Sequence, residues 1–254
     1  MEWFETFFDE LYYETYKPFQ GEERNAREAR FIVEALKPPP GGIVLDLGCG
    51  YARHAVYLAK WGYHVICYDL SSYLLDKARE RTREFGVEDK VEIVRGDMRA
   101  LEYDSEADAA YMFFTTFGYF SHHENVEVLR RTGRALRRGG ALLVDLPNPA
   151  EIIASAVDSH GTLRRWYSAG SYLVLEETNI DLLSGDLRTV RTYLDKDTMR
   201  RVATRSFALK IYMPWELKDM MSSAGLKVEK VYGSYRGEDY GPASPRLIIV
   251  AVKT

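Results

Sequence analysis

Three aspartates, Asp46, Asp69 and Asp97, each close a short apolar run: Val44-Leu45-Asp46, Val65-Ile66-Cys67-Tyr68-Asp69 and Val91-Glu92-Ile93-Val94-Arg95-Gly96-Asp97. Strands buried in a parallel sheet carry acids only at their ends, and nucleotides bind at the carboxyl ends of such strands. Between the first two runs lies Gly48-Cys49-Gly50-Tyr51-Ala52-Arg53, followed by a helical pattern from His54 to Trp61. Asp69 falls about twenty residues beyond the glycines, the spacing at which an acid reaches ribose hydroxyls. A dinucleotide fingerprint wants a third small residue where Arg53 stands, so that the helix packs close and its amino end holds a pyrophosphate. A guanidinium fits that contact poorly, which argues against NAD or FAD. Asp46 points the same way, because a carboxylate beside the loop suits a cationic ligand such as an amine or sulfonium and repels phosphate.

Asp46-Leu47-Gly48-Cys49-Gly50 resembles the first motif of class I S-adenosylmethionine-dependent methyltransferases. The chain departs from that motif at Ala52, where the family more often has glycine, so a slightly stiffer loop is expected. The resemblance implies S-adenosylmethionine as cofactor and S-adenosylhomocysteine as product. It assigns Asp46, Gly48, Cys49, Gly50 and Arg53 to the cofactor loop, and Asp69, Leu70 and Ser71 to the next strand end. Asp97 then lies over the adenine amino group with Met98 on the ring, and Phe113 ends the fourth strand beside the cofactor. In similar proteins an N-terminal helix closes over the cofactor. Tyr12 and Tyr16 are the tyrosines for that role, Tyr12 also reaching the acceptor, and Arg24 either pairs with the cofactor carboxylate or is an exposed helix arginine.

The sulfonium methyl is already activated, so the protein mainly has to align an acceptor atom and exclude water, an orientation effect of roughly 7–11 kcal/mol. After the fourth strand the chain reads Phe113-Phe114-Thr115-Thr116-Phe117-Gly118-Tyr119-Phe120-Ser121-His122-His123. In this fold that segment lines the acceptor pocket. It lacks the Asn/Asp-Pro-Pro-aromatic element that grips a flipped base, and no cysteine besides Cys49 and Cys67 offers a nucleophile, so DNA and RNA bases are poor acceptors. His122 is either the general base, since imidazole titrates near neutrality, or a solvated or capping residue of the next helix. Tyr119, with Trp166 and Tyr172 farther on, are the candidate walls of the acceptor site. No metal site is expected.

With 254 residues, 46% of them hydrophobic, one full core is expected and two domains are not required. The formal charge of −4 without a lysine-rich block argues against a nucleic-acid surface. Two cysteines give no disulfide framework, and a reducing cytoplasm is the expected compartment. Met1-Glu2-Trp3-Phe4-Glu5 has no basic n-region, and no run approaches the eighteen or so apolar residues of a membrane span.

Phe4, Phe8, Leu11 and Tyr12 fall at helical spacing, and Ala26, Ala29, Val33 and Leu36 mark one face of a second helix over 22–36, stopped by Lys37-Pro38-Pro39-Pro40. From Ile43 to Leu146 strands and helices alternate, with a fourth strand over 109–114, a helix over 125–138 closed by Gly139-Gly140, and a fifth strand over 141–145. After Pro149 the period changes to four strands, 163–168, 172–180, 187–195 and 198–212. A helix over 214–224 and strands over 227–235 and 246–252 complete the chain. The expected fold is therefore α/β, a Rossmann-like class I methyltransferase sheet with helices on both faces. It forms a single domain over 1–254 with an N-terminal helical cap (1–37) and an antiparallel β insertion (151–210) that serves as a lid or as the contact face of a homodimer. That insertion, with Gly118-Tyr119-Phe120, Tyr212-Met213-Pro214 and Ser244-Pro245-Arg246, is similar to the UbiE-like "methyltransferase domain 25" group acting on small molecules. Methyl transfer to an oxygen or nitrogen of a small molecule is the expected reaction. The alternatives are an RNA or protein methyltransferase and a non-catalytic S-adenosylmethionine-binding sensor.

Overall fold

A computed structural model describes residues 2–254. Seven strands form one sheet in the order β10-β11-β5-β4-β1-β2-β3. Strands β1 (Ile43–Leu47), β2 (His64–Asp69), β3 (Val91–Arg95), β4 (Ala107–Met112) and β5 (Leu136–Pro147) run parallel. Strand β11 (Arg246–Lys253) is antiparallel to β5 and to the edge strand β10 (Leu226–Tyr232). The strand order reverses between β1 and β4, which opens a crevice beyond their carboxyl ends.

Continuous apolar runs let both sheet faces be covered. Helices α3 (Glu22–Leu36), α4 (Ala55–Lys60) and α5 (Ser72–Phe85) press Ile32, Val56 and Leu75 on Val44, Cys67 and Tyr111. On the other face α6 (His122–Ala135) and α8 (Pro214–Ser223) bury Leu129 and Leu217 on Leu45, Met112 and Val144.

Several elements differ from the sequence-based expectation. The first aromatic helix is split into α1 (Phe4–Phe7) and α2 (Glu10–Tyr16), because Asp9 caps α2 through the Tyr12 amide and the Phe8 carbonyl accepts the Ser71 hydroxyl at 2.6 Å. The buried face of α3 carries Asn25 and Glu28 beside Ala29, Ile32 and Leu36, while Ala26 and Val33 are only partly buried. Helix α6 stops at Ala135, and Gly139-Gly140 lie inside β5, where the β4–β5 register shifts; a Cβ on Gly140 would stand 2.9 Å from the Arg137 carbonyl oxygen. Strand β4 stops at Met112 because Phe114 and Thr115 adopt φ of +60° and +67°.

The insertion opens with a helix, α7 (Pro149–Asp158), that the sequence pattern did not suggest. Its antiparallel sheet has the order β6 (Thr162–Ala169), β7 (Tyr172–Asp181), β8 (Asp186–Asp195), β9 (Arg201–Lys210). One face rests on the N-terminal cap: Phe207 meets the rings of Trp3 and Phe7, and Leu11 packs against Val174 and Tyr193. Within this contact the Arg191 guanidinium pairs with Glu176 and faces the rings of Phe207, Tyr16 and Phe7 at 4.7, 5.4 and 5.8 Å.

The side chains of Arg191 and Glu176 are 6% and 3% exposed, so neither charge has water as an alternative partner. Replacing Glu176 by leucine strands the Arg191 charge and should cost about 3–5 kcal/mol of stability. Urea unfolding of the purified variant measures it, and an unchanged midpoint would mean that the buried pair contributes nothing to stability.

Candidate active site

The crevice is built around the turn from β1 into α4. Gly48 takes φ +71°, and a Cβ there would sit 2.1 Å from the Thr116 Cγ2, so glycine is required both by the turn and by the close approach of the segment after β4. Ala52 also lies in the left-handed region, at φ +58°, and the loop keeps its course despite the alanine. Asp69 holds the loop from the neighbouring strand: its Oδ2 accepts the Gly50 amide and its Oδ1 the Ser71 amide, both at 2.8 Å. Burial raises the Asp69 pKa, against the pull of those backbone donors. Asp46 is buried beneath the loop and accepts the Tyr111 hydroxyl at 2.6 Å. Burial pushes its carboxyl up to about 7, with nearby Asp69 adding to the shift and the Tyr111 bond opposing it.

Arg53 does not enter the helix–sheet contact, which corrects the sequence-based ground for excluding dinucleotides. Its side chain turns toward α3, donating from Nη1 to Asn25 Oδ1 at 2.9 Å and to Glu28. Glu28 also accepts His54 Nε2 at 3.0 Å and Arg24 Nε at 2.7 Å. Burial works against the Glu28 anion, but His54, Arg53 and Arg24 overcome it and hold the carboxyl far below its ordinary range. Burial and the Arg53 charge lower His54 to about 4, so the imidazole is neutral and donates its Nε2 proton to Glu28. Arg53 lines the pocket, and its Nη2 is buried with no hydrogen-bond partner.

Opposite the loop stands the turn Phe113–Thr116. Thr116 Oγ1 donates to the Phe113 carbonyl at 2.7 Å, and the Phe114 ring lies 5.1 Å from the Arg53 guanidinium. The cap closes the crevice with Phe4, Phe8 and Tyr12. Burial, with Tyr16 and Tyr119 nearby, keeps the Tyr12 phenol protonated.

Of the residues singled out in the sequence, Tyr12, Asp46, Gly48, Cys49, Gly50, Arg53, Asp69, Leu70, Asp97, Met98, Phe113 and Tyr119 line this one pocket. Asp97 engages Arg99 with both oxygens, the Nη2 contact being 2.7 Å. Six lie outside the lining. Tyr16 packs its ring at a tilt against Tyr12, with centroids 4.4 Å apart, one turn away. Arg24 is engaged by Glu28 and the Phe19 carbonyl. The Ser71 hydroxyl is consumed in capping α5 and in holding Phe8. His122 is exposed on the first turn of α6, because Ser121 and Glu124 form a capping box that turns the following residue outward. Trp166 is 71% exposed on the insertion face that points away from the cap, in register with Leu175 and Thr192. Tyr172 lies on the cap-facing side but at the end of its strand, against Tyr193. Sequence reasoning missed Glu28 and His54, whose only trace is polar residues interrupting an apolar face, and Phe4, Phe8 and Gln20 in the lining, whereas Phe114 and Thr116 belong to the segment expected there. Among the described residues no group of His, Cys, Asp or Glu is arranged to hold a metal, both cysteines are buried and free, and no helix is long and apolar enough to cross a membrane.

Residues 44–140 match the family described as methyltransferase domain. The cypemycin N-terminal methyltransferase of a Streptomyces species is 30% identical over 219 residues, 86% of each chain. The sarcosine/dimethylglycine N-methyltransferase of Halorhodospira halochloris is 33% identical over 114 residues, 44% of this chain and 40% of that one. Among solved structures, the CcbJ methyltransferase from Streptomyces caelestis superimposes with a TM-score of 0.84 at 23% identity, over 98% of this chain and 99% of that one.

The buried acid makes stability depend on pH in a defined direction. Asp46 titrates near 7 in the folded protein and near 3.9 in an unfolded chain. The folded state therefore keeps a proton that the unfolded state has lost, and the Asp46 contribution to stability falls as pH rises from about 4 to about 7. His54, lowered to about 4 from an ordinary value of about 6.5, acts in the opposite sense over an overlapping window. Comparison with Asp46→Asn separates the two. Relative to the parent, the variant should gain roughly 2–4 kcal/mol between about pH 4 and 7.5. Urea unfolding at both pH values measures the gap, and a gap that does not change with pH would show Asp46 to be ionised throughout.

Proposed function

The chain belongs to the class I S-adenosylmethionine-dependent methyltransferases, and from that premise we propose that it methylates an amine nitrogen of a small molecule. One observation carries the choice of nitrogen: the histidine and the Tyr12 phenol that line the pocket are poor proton acceptors. His54 sits at about 4 with its Nε2 committed to Glu28, the Tyr12 phenol stays protonated, and Asp46, raised to about 7 by burial, already accepts the Tyr111 hydroxyl. A hydroxyl or carbon acid must hand its proton to a base as it attacks, whereas a neutral amine attacks through its own lone pair and gives up its proton afterwards. The names of the two relatives, which specify N-terminal and N-methyl transfer, support the same choice.

The residues present fit the cofactor. The unpartnered Nη2 of Arg53 is a buried donor suited to a carboxylate. Each Asp69 oxygen accepts one backbone amide and retains capacity to accept a ribose hydroxyl. Asp97 and Met98 also line the pocket, and we assign them to the adenine end. When bound, S-adenosylmethionine supplies a methyl group on a positively charged sulfur, open to in-line displacement by the acceptor. The protein's part is placement: the Phe8, Tyr12, Phe114 and Tyr119 rings exclude water, offer faces that favour the cationic sulfonium, and present the Tyr12 hydroxyl as a donor.

A panel of sarcosine, N,N-dimethylglycine, a glycine-terminated peptide and an amino sugar, each beside its hydroxyl analogue, tests the reading through release of S-adenosylhomocysteine. Turnover should favour the amines at least tenfold, and equal turnover of the hydroxyl analogues would overturn the nitrogen assignment. Asp69→Ala should weaken S-adenosylhomocysteine binding by about 1.5–3 kcal/mol in calorimetry. An unchanged affinity would make Asp69 a purely structural carboxylate.

A further inference from the structure

Phe114 and Thr115, two successive non-glycine residues, are held at φ +60° and +67° in the turn that faces the glycine loop. Side chains rarely adopt that conformation even singly, so something outside the turn must impose it. The restraint comes from Asp145 on β5, which is fully buried and does not line the pocket. Its Oδ2 accepts the Phe114 amide at 2.7 Å and the Tyr235 hydroxyl at 2.9 Å, and its Oδ1 accepts Arg246 Nε at 2.8 Å. Its backbone carbonyl accepts the Thr115 amide at 3.0 Å, and Arg246 Nη2 reaches Thr115 Oγ1 at 3.2 Å. Tyr235 in turn stacks on Phe113, with ring centroids 4.9 Å apart. Every residue from Phe113 to Thr115 is thus fixed from behind by one carboxylate and its partners, while the rings of Phe113 and Phe114 form the pocket wall.

We propose that Asp145, charge-balanced by Arg246 and steadied by Tyr235, is the positioning residue that sets the acceptor-side wall of the site, and so governs alignment of the acceptor without touching it. Donors converge on both oxygens of Asp145, and only a carboxylate accepts on both sides. Asparagine must turn its amide hydrogens toward either Phe114 N–H or Arg246 Nε–H and lose that bond. The turn then relaxes, and the wall shifts relative to the reacting atoms, where errors of an ångström are felt strongly in rate.

The inference rests on the methyltransferase reading, and its test uses the best acceptor of the panel whether nitrogen or oxygen, so failure of the amine assignment leaves it intact. In Asp145→Asn, kcat should fall at least 30-fold, while the dissociation constant for S-adenosylhomocysteine and the acceptor KM stay within threefold of the parent. Hydrogen exchange at the Phe114 amide should quicken at least tenfold, a readout that needs no acceptor. Tyr235→Phe removes a single hydrogen bond, keeps the stack on Phe113, and should lower kcat three- to tenfold with the same split; it decides the matter should Asp145→Asn fail to fold. Unchanged kcat in the folded variants, a rate loss that merely follows lost cofactor affinity, or unaltered exchange at Phe114 would each overturn the assignment.

Discussion

The site depends on one buried carboxylate. Glu28 receives Arg53, His54 and Arg24 at the junction where α3 meets the start of α4. A charge so enclosed is tolerable only when fully paired, and the pairing has directional consequences. It turns the Arg53 side chain away from the sheet and across the crevice, with one nitrogen left unbonded in the lining. It fixes the tautomer of His54, which burial and the Arg53 charge keep neutral. It also docks the helix that leads out of the cap onto the loop that the cap must cover, so that cap and cofactor loop share one electrostatic anchor.

Division of labour follows from this arrangement. The glycine loop and its acids belong to the seven-stranded sheet, whereas Phe4, Phe8 and Tyr12 reach the pocket from the cap. The cap is in turn supported by the insertion, through Phe207, Val174 and the Arg191–Glu176 pair, and tied at its break by Arg205 to Asp9 at 3.1 Å. None of the insertion residues from 151 to 210 lines the pocket. The insertion acts on the site at one remove, by holding the cap in place, and Trp166 on its far face has no part in that contact.

Legibility in the sequence was greatest where the backbone alone dictates placement. Asp46, the glycines, Asp69 and Asp97 follow from alternating strands and helices, since a strand end in a parallel sheet has only one place to go. Helix α3 was legible in extent but not in orientation, because Asn25 and Glu28 read as surface residues until Arg53 and His54 are brought to them from a distant part of the chain. His122 misled for the opposite reason: its residue type suits chemistry, but the Ser121–Glu124 cap decides where it points. The strained turn after β4 was likewise hidden, for nothing local in Phe114-Thr115 signals positive φ; Asp145, Tyr235 and Arg246 impose it from three other elements.

We propose that the arginine held by Glu28 binds the acidic end of the cofactor, beside an aspartate that takes the ribose. Calorimetry of S-adenosylhomocysteine against its decarboxylated analogue, on the parent protein and on Arg53→Met, tests it most directly. The parent should prefer the carboxylate-bearing ligand at least tenfold and the variant less than threefold, with the analogue binding both proteins alike. Equal affinity of the parent for the two ligands, or a preference that survives loss of Arg53, would contradict it.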